Sequence, residues 1–197
     1  MTILQRNLTR SIMLMSILSV VTACSGPVKK EQGVQQKAQE AQITAENRLE
    51  QQKMRRSLLF ALIADSRLET LSEYVVANNM SELFSTDPGP FLFFTPINVA
   101  FEDVDSTTLK LWSDQSNGVV KSLINKHLIQ ADTLVDDLAF YVGQDLQTRG
   151  GMRVKVVQDQ DVYYLEDVKG KRALITPNPM RMDNGFIYYI DQLLHRP

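Results

Sequence analysis

The chain reads as a mixed helix-and-strand protein behind an N-terminal leader, and three features of its 197 residues predict this. Helical spacing dominates residues 57–84 and 106–128, and strand alternation takes over after Leu146. Between the helical segments stands a short aromatic stretch, Phe91-Leu92-Phe93-Phe94. Four consecutive apolar residues, three of them aromatic, are too few for a helix and suit a fully buried strand.

That strand has sharp limits. Pro88-Gly89-Pro90 stops any preceding helix. Thr95 precedes Pro96, which holds its backbone extended and ends the strand close by. Asn98 is expected to act as the N-cap of a turn over Val99-Ala100-Phe101, its side-chain oxygen facing free amides.

The leader comes first in the chain. Arg6 and Arg10 precede a ten-residue apolar run, residues 12–21. A bilayer-spanning helix needs about 20 residues, so the run reads as the core of a signal peptide. It ends in Val21-Thr22-Ala23-Cys24, which resembles the lipobox of bacterial lipoproteins. The resemblance implies a signal peptide over residues 1–23 and cleavage before Cys24. It also implies a diacylglycerol thioether on the Cys24 sulfur and an acyl chain on its new amino group, a palmitate-type modification. Two or more chains give stable anchoring where one does not. Ser25 rather than Asp after the lipidated cysteine implies the outer membrane over the inner in a bacterial cell envelope.

Residues 24–56 are dominated by Gln, Glu, Lys and Ala, and no Pro or Gly occurs between Val34 and Thr86. Val34, Ala38, Ala41, Ala45 and Leu49 recur at intervals of three and four, a thin stripe on one helix face. The segment is expected to be a helical tether. A coiled-coil interface stays open as the alternative, since the pattern covers barely two heptads.

Residues 57–63 predict the first buried helix of the globular part. Ser66 with Glu69 forms a capping-box pattern that opens a second helix holding Leu68, Leu71 and Val75. One more short turn follows at residues 80–84. Beyond Phe101, Ser106 or Thr107 should cap a short helix with Leu109 and Trp112. The next helix places Val120, Leu123, Ile124, His127 and Leu128 on one face. A lone histidine on such a stripe reads as a buried structural side chain rather than a catalyst or ligand. Met152, Val154 and Val156 then alternate with Arg153, Lys155 and Val157, period two. Val162-Tyr163-Tyr164-Leu165, Ala173-Leu174-Ile175 and residues 185–191 complete the strands. In Tyr163-Tyr164 and Tyr188-Tyr189, one ring should point inward and the other outward; an outward Tyr suits partner contact, and cross-strand packing is the favoured reading over it.

Charge narrows the function classes. The formal net charge is −2, but residues 57–197 carry 12 Lys/Arg against 19 Asp/Glu, a net of −7. Residues 25–56 carry 7 against 4, a net of +3. An acidic globular part argues against nucleic acid, which requires a concentrated basic face. The one cysteine rules out an intramolecular disulfide and argues against a Cys-ligated zinc site. No phosphate loop and no His-x-x-x-His or Cys-x-x-Cys pair is present. Asp136-Asp137 and the Asp159, Asp161 pair read as solvated loop carboxylates, too few to ligate calcium. Neither catalysis, nor a cofactor, nor a metal is expected.

Two motifs carry a family resemblance. Phe94-Thr95-Pro96-Ile97-Asn98-Val99-Ala100-Phe101 resembles the first signature of fasciclin domains, Phe-Ala-Pro-Thr-Asn-x-Ala-Phe, with Thr95 for Ala and Ile97 for Thr. The C-terminal run resembles the second signature, Asn-Gly-x-Ile-His-x-Ile-Asp-x-x-Leu-x-Pro. Asn184, Gly185, Ile187, Ile190, Asp191 and Leu194 match in register, Tyr188 replaces the His, and Pro197 comes one residue late. The family's Tyr-His pair falls at Lys126-His127, so the aromatic partner often discussed for adhesion is missing. By resemblance, His127 should bond toward residues 95–98.

The resemblance covers residues 57–197. It implies a single fasciclin-like domain of the α+β class, a strand-rich wedge-shaped core with helices packed on one side, preceded by the helical tether. It implies non-catalytic extracytoplasmic adhesion or protein–protein interaction, with the protein partner unidentified and the membrane reached through Cys24. The alternative is a periplasmic scaffold docking another envelope protein.

Overall fold

The computed structural model describes residues 28–113 and 118–194, with backbone alone for 28–36 and 113. Cys24 and its lipobox, His195 and Pro197 lie outside the described residues. The chain divides into two units, residues 1–44 and 45–197. Helix α1, Val28–Arg55, matches the absence of breakers after Gly33. Its side chains from Lys37 onward are exposed, Ile43 and Leu49 included.

Helices lead the second unit. They are α2 (Leu58–Ala64), a 3-10 turn (Ser66–Leu68), α3 (Glu69–Ala77) and α4 (Ser81–Ser85). Strand β1 (Phe91–Pro96) follows, then a 3-10 turn (Asn98–Phe101), α5 (Ser106–Ser113), α6 (Val119–Asn125) and β2 (Leu128–Gln130). The remainder is α7 (Leu138–Tyr141), β3 (Asp145–Gln147), β4 (Arg153–Asp159), β5 (Val162–Asp167), β6 (Arg172–Ile175), β7 (Met180–Met182) and β8 (Gly185–Ile190). The strands form one sheet in the order β2-β1-β8-β6-β5-β4-β3, with β7 also paired to β8.

β1 is an interior strand next to the β2 edge of this sheet, antiparallel to β2 and parallel to β8 over all six of its residues, from Phe91↔Gly185 to Pro96↔Ile190. All six are buried. Successive side chains point to opposite faces, so the strand serves two cores. Phe91 and Phe93 join Ile187 and Tyr189 in a core with α2, α3, α4 and α6. Leu92 and Phe94 join Tyr188 and Ile190 in a second core with the inner faces of β4, β5 and β6. Each such aromatic or leucine side chain contributes about 1.5–3 kcal/mol when fully buried. The helices pack on one side, as the α+β reading expects, with α7 the exception: Leu138 and Tyr141 join the second core.

Several local expectations are corrected. Helix α6 ends at Asn125 and Leu128 begins β2, so the helical stripe stops before His127. The α5 amides of Thr107 and Thr108 bond to the Asp105 carboxylate, not to Ser106 or Thr107. Asp136 is ion-paired with Arg181 and Asp137 caps α7 through the Ala139 amide, so neither is a merely solvated loop carboxylate. Tyr188 and Tyr189 are both buried, because β8 is an interior strand with a core on each face. Tyr163 packs on the second core, and Tyr164 pairs with Val157 on the opposite face of the sheet.

The β1–β8 contact demands a glycine at position 185. A Cβ there would sit 2.4 Å from the Phe91 carbonyl oxygen and 3.0 Å from Leu58 Cδ1. Backbone cannot yield as a side-chain tip can, so Gly185→Ala is expected to lower stability by about 2–4 kcal/mol, beyond the ordinary range for a methyl group. Equilibrium urea unfolding followed by circular dichroism checks this.

Candidate functional site

The signature residues converge on the ends of the β1–β8 pair. Asn184 stands just before β8 and Asn98 just after β1, so with parallel strands they occupy opposite ends of the ladder. Each amide works on a helix far away in sequence. Asn184 Oδ1 accepts from the Leu58 amide at 2.9 Å, at the first turn of α2. Asn184 Nδ2 donates to the carbonyls of Phe84 at 3.0 Å and Asp87 at 3.2 Å, closing the end of α4 and the loop beyond. The Asn184 carbonyl takes the Phe91 amide at 2.9 Å. One residue satisfies four backbone groups.

Asn98 repeats the arrangement. The expected local N-cap is not formed; the 3-10 turn over residues 98–101 has no side-chain cap. Instead Asn98 Oδ1 accepts from the Thr70 amide at 3.1 Å and Nδ2 donates to the Ser66 carbonyl at 2.8 Å. Thr70 lies in the first turn of α3, whose flanking residue Leu68 has no side chain able to cap. The predicted Ser66–Glu69 capping box is therefore replaced by a cap from across the fold. First-turn amides have no partner within their own helix, so each asparagine meets a need that the helix cannot.

His127 is buried and fully engaged. Nδ1 lies 2.8 Å from the Leu123 carbonyl, so it carries the proton and donates, and Nε2 accepts from the Leu194 amide at 3.1 Å. The expected bond toward residues 95–98 is absent. The imidazole holds the C-terminal Leu193-Leu194 segment, and only its backbone carbonyl reaches the first signature, accepting from the Phe94 amide at 3.0 Å. Lys171 Nζ adds a bond to the Leu193 carbonyl at 2.6 Å. Burial lowers the His127 pKa from 6.5 to about 4, helped by the nearby Lys126 and Lys171 charges and opposed by the Leu123 bond. The ring is thus neutral at physiological pH.

The other signature side chains are structural in the same sense. Phe94 stacks on Tyr188 with centroids 5.8 Å apart, and Phe101 meets the Trp112 ring edge-on at 6.2 Å. Thr95, in place of the family's Ala, is buried with its hydroxyl bonded to the Phe93 carbonyl at 3.2 Å. Pro96 sits opposite Ile190, and Ile187 is buried opposite Phe93. Asp191 Oδ1 accepts from the Leu174 amide at 2.8 Å, fastening the end of β8 to β6. Tyr188, in place of the family's His, has a buried hydroxyl without a partner among the described protein atoms. Burial raises its pKa, with the neighbouring Tyr141 and the Asp136 and Asp137 charges adding to the effect.

A cluster that sequence reading missed closes the same ladder. The Tyr189 hydroxyl donates to Asp65 Oδ2 at 2.7 Å, and Arg67 donates to both Asp65 oxygens. The Arg67 guanidinium also lies 4.0 Å above the Tyr189 ring. The Arg67 hydrogen bond, with that of Tyr189, holds the Asp65 carboxyl at about 2 against the opposing effect of burial. Desolvation first, then Asp65, pushes the Tyr189 phenol up to about 12. No local motif announces this triad: Asp65 and Arg67 are two residues apart, but Tyr189 lies 124 residues further along and reaches Asp65 only through the tertiary fold. Among the described residues no group of three or more His, Cys, Asp or Glu side chains is placed to hold a metal.

Two outcomes follow from these contacts. Asn184→Ala should destabilise by about 2–4 kcal/mol, since it strands buried partners on three segments, and Asn98→Ala by about 1–2 kcal/mol; differential scanning calorimetry ranks them. For pH, the unfolded His127 binds a proton below about 6.5 while the folded one resists until about 4, so stability falls as pH drops through that window. The fall should reach about 3 kcal/mol, read from urea midpoints between pH 7 and 4. His127→Phe should lower the midpoint overall and flatten that slope.

Comparison with known proteins agrees with this geometry. The family model for the Fasciclin domain matches residues 66–196. Transforming growth factor-beta-induced protein ig-h3 from Sus scrofa is 28% identical over 131 residues, covering 66% of this chain and 18% of that protein. The same protein from Oryctolagus cuniculus is 27% identical over an equal length. This chain therefore spans less than a fifth of the length of these curated relatives. A FAS1 domain pair from the insect cell adhesion molecule Fasciclin I superposes with a TM-score of 0.63 at 17% identity, over 71% of this chain and 51% of that one.

Proposed function

Because the chain belongs to the fasciclin-domain family, we propose that it is a non-catalytic adhesion or protein-interaction module, carried on the bacterial cell envelope by a lipid on Cys24. The family match over residues 66–196 carries this reading, since fasciclin domains occur in cell adhesion molecules, the insect Fasciclin I among them. The engagement of the signature side chains supports it. Asn98, Asn184 and both ring nitrogens of His127 bond to the protein's own backbone, which leaves them committed to the fold rather than to a substrate.

The location rests on residues 1–24. A ten-residue apolar core followed by Val21-Thr22-Ala23-Cys24 supports lipidation, and Ser25 supports the outer membrane. Helix α1 then supplies a tether, at about 1.5 Å per residue. In this reading the domain is presented at the cell surface to a protein partner. The charge of −7 over residues 57–197 and the exposed Gln-rich α1 favour a second reading, in which the domain faces the periplasm and docks another envelope protein.

Protease treatment of intact cells separates the two. Release of the domain at an external protease concentration that spares a periplasmic marker is expected for the surface module. Full protection would overturn it in favour of the periplasmic scaffold. Failure of Cys24→Ala to alter membrane fractionation would remove the lipid anchor from either reading.

A further inference from the structure

The outward face of β3, β4, β5 and β6 carries a pattern that the core does not explain. Val154, Val156, Leu165, Ala173 and Ile175 point into the second core, so the alternate residues of these strands face outward. The registers Asp145↔Lys155, Lys155↔Glu166 and Glu166↔Arg172 place four charges in one row across four adjacent strands. Their signs alternate: minus, plus, minus, plus. Neighbours in the row pair within the chain, Lys155 with Asp145 at 3.4 Å and Arg172 with Glu166 at 2.6 Å. The next row is apolar, Val157↔Tyr164↔Leu174, and Leu174 is 42% exposed.

An alternating row of four has a particular symmetry. Read backwards, every sign is reversed. A two-fold axis parallel to the strands and running between β4 and β5 presents such a row to its own reverse. Asp145 then faces Arg172 of the other copy, Lys155 faces Glu166, and each relation is repeated by symmetry, as an isologous contact requires. The same operation sets Val157 against Tyr164 in the apolar row. Leu174 is brought toward the flank where the Gly143 amide bonds beside β4, with no side chain in the way. Two twisted sheets pack face to face with their strands aligned within about 30°, which this axis allows. A two-fold axis lying along the charged row would instead set each charge on its own copy, Asp145 on Asp145 and Lys155 on Lys155, and lose the match.

We infer that this sheet face is a self-association surface, whose occupant is the same face of a second copy of this chain. The contact is electrostatically self-complementary through Asp145, Lys155, Glu166 and Arg172, with Val157, Tyr164 and Leu174 as its apolar strip. It stands apart from the reading of location and partner, because two copies of the isolated protein suffice to form it.

Charge reversal tests the symmetry directly. Sedimentation equilibrium of the full chain in detergent should show a concentration-dependent dimer that weakens with salt. E166K alone sets two cations face to face at the centre of the row, and K155E alone sets two anions there. Each should raise the dimer dissociation constant by about tenfold or more. Mixing the two variants restores opposite signs at all four positions, so the mixture should form a heterodimer at least as tight as the wild-type dimer. The double variant K155E/E166K should dimerise with itself. Thermal melts of the single variants should fall only slightly, since each reversal disturbs exposed cross-strand ion pairs of small worth. A wild-type chain that stays monomeric up to millimolar concentration overturns the inference. So does a dimer indifferent to both reversals, or a mixture that fails to re-form the pair.

Discussion

The parallel ladder between β1 and β8 is the constraint on which the rest of the structure depends. It joins strands about ninety residues apart in sequence, and it is held in register over six residue pairs. Everything packed on either face takes its position from it. The odd-numbered residues of the two strands receive the helices, and the even-numbered ones receive the curled antiparallel sheet. A slip of one residue would exchange the two cores. The close approach at Gly185 and the hydrogen bond from the Phe91 amide to the Asn184 carbonyl fix the start of the ladder.

The two signature asparagines extend that constraint to the helices. α2 and α3 are seven and nine residues long, below the length at which a helix is stable alone. Each begins against an amide side chain delivered from the end of a central strand. α3, with no local side-chain cap, is thus capped only when the ladder has formed, whereas α2 adds the Asn184 bond to a local cap in which Ser57 Oγ accepts from the Phe60 amide. His127 plays the corresponding part for the C-terminal segment, and the Asp65–Arg67–Tyr189 triad for the turn between α2 and α3. All of these polar side chains bond to backbone or to one another; Asn184, His127 and the Tyr189 hydroxyl do so in partly or fully buried surroundings, where an unpaired group would be costly, while the Arg67 bonds and the Asn98 bond to Ser66 lie nearer the surface.

This division of labour bears on function. The residues that mark the family are interior and occupied, so they identify the scaffold and leave recognition to other surfaces. The outward face of β3–β6 is one such surface. Its charges contribute little to the fold, since exposed ion pairs are worth at most about 1 kcal/mol. Their order, however, is of a kind that a second copy can read. Fold and recognition are carried by opposite pleats of the same strands.

Several features were legible in the sequence because their causes are local. Four apolar residues between Pro88-Gly89-Pro90 and Pro96 announce a buried strand, and Val154, Val156 and Lys155 show a two-residue period with an inner and an outer face. The long run after Gly33 without a breaker announces α1. The Asn98 and Asn184 motifs identify the family, yet the local chemistry of Asn98 suggested a cap on its own turn, whereas the partners of the two side chains are Thr70, Ser66, Leu58, Phe84 and Asp87. The Ser66–Glu69 pattern and the helical placement of Leu128 were equally sound locally and yielded to strand pairing. Tyr188 and Tyr189 are both inside because β8 has neighbours on each side, which period-two alternation does not reveal. What depends on neighbours along the chain, the sequence determined by itself: most element types and, through its two motifs, the family. Which distant backbone groups each polar side chain satisfies was decided only by the tertiary structure, because an amide or an imidazole takes whatever donor or acceptor the fold brings within about 3 Å.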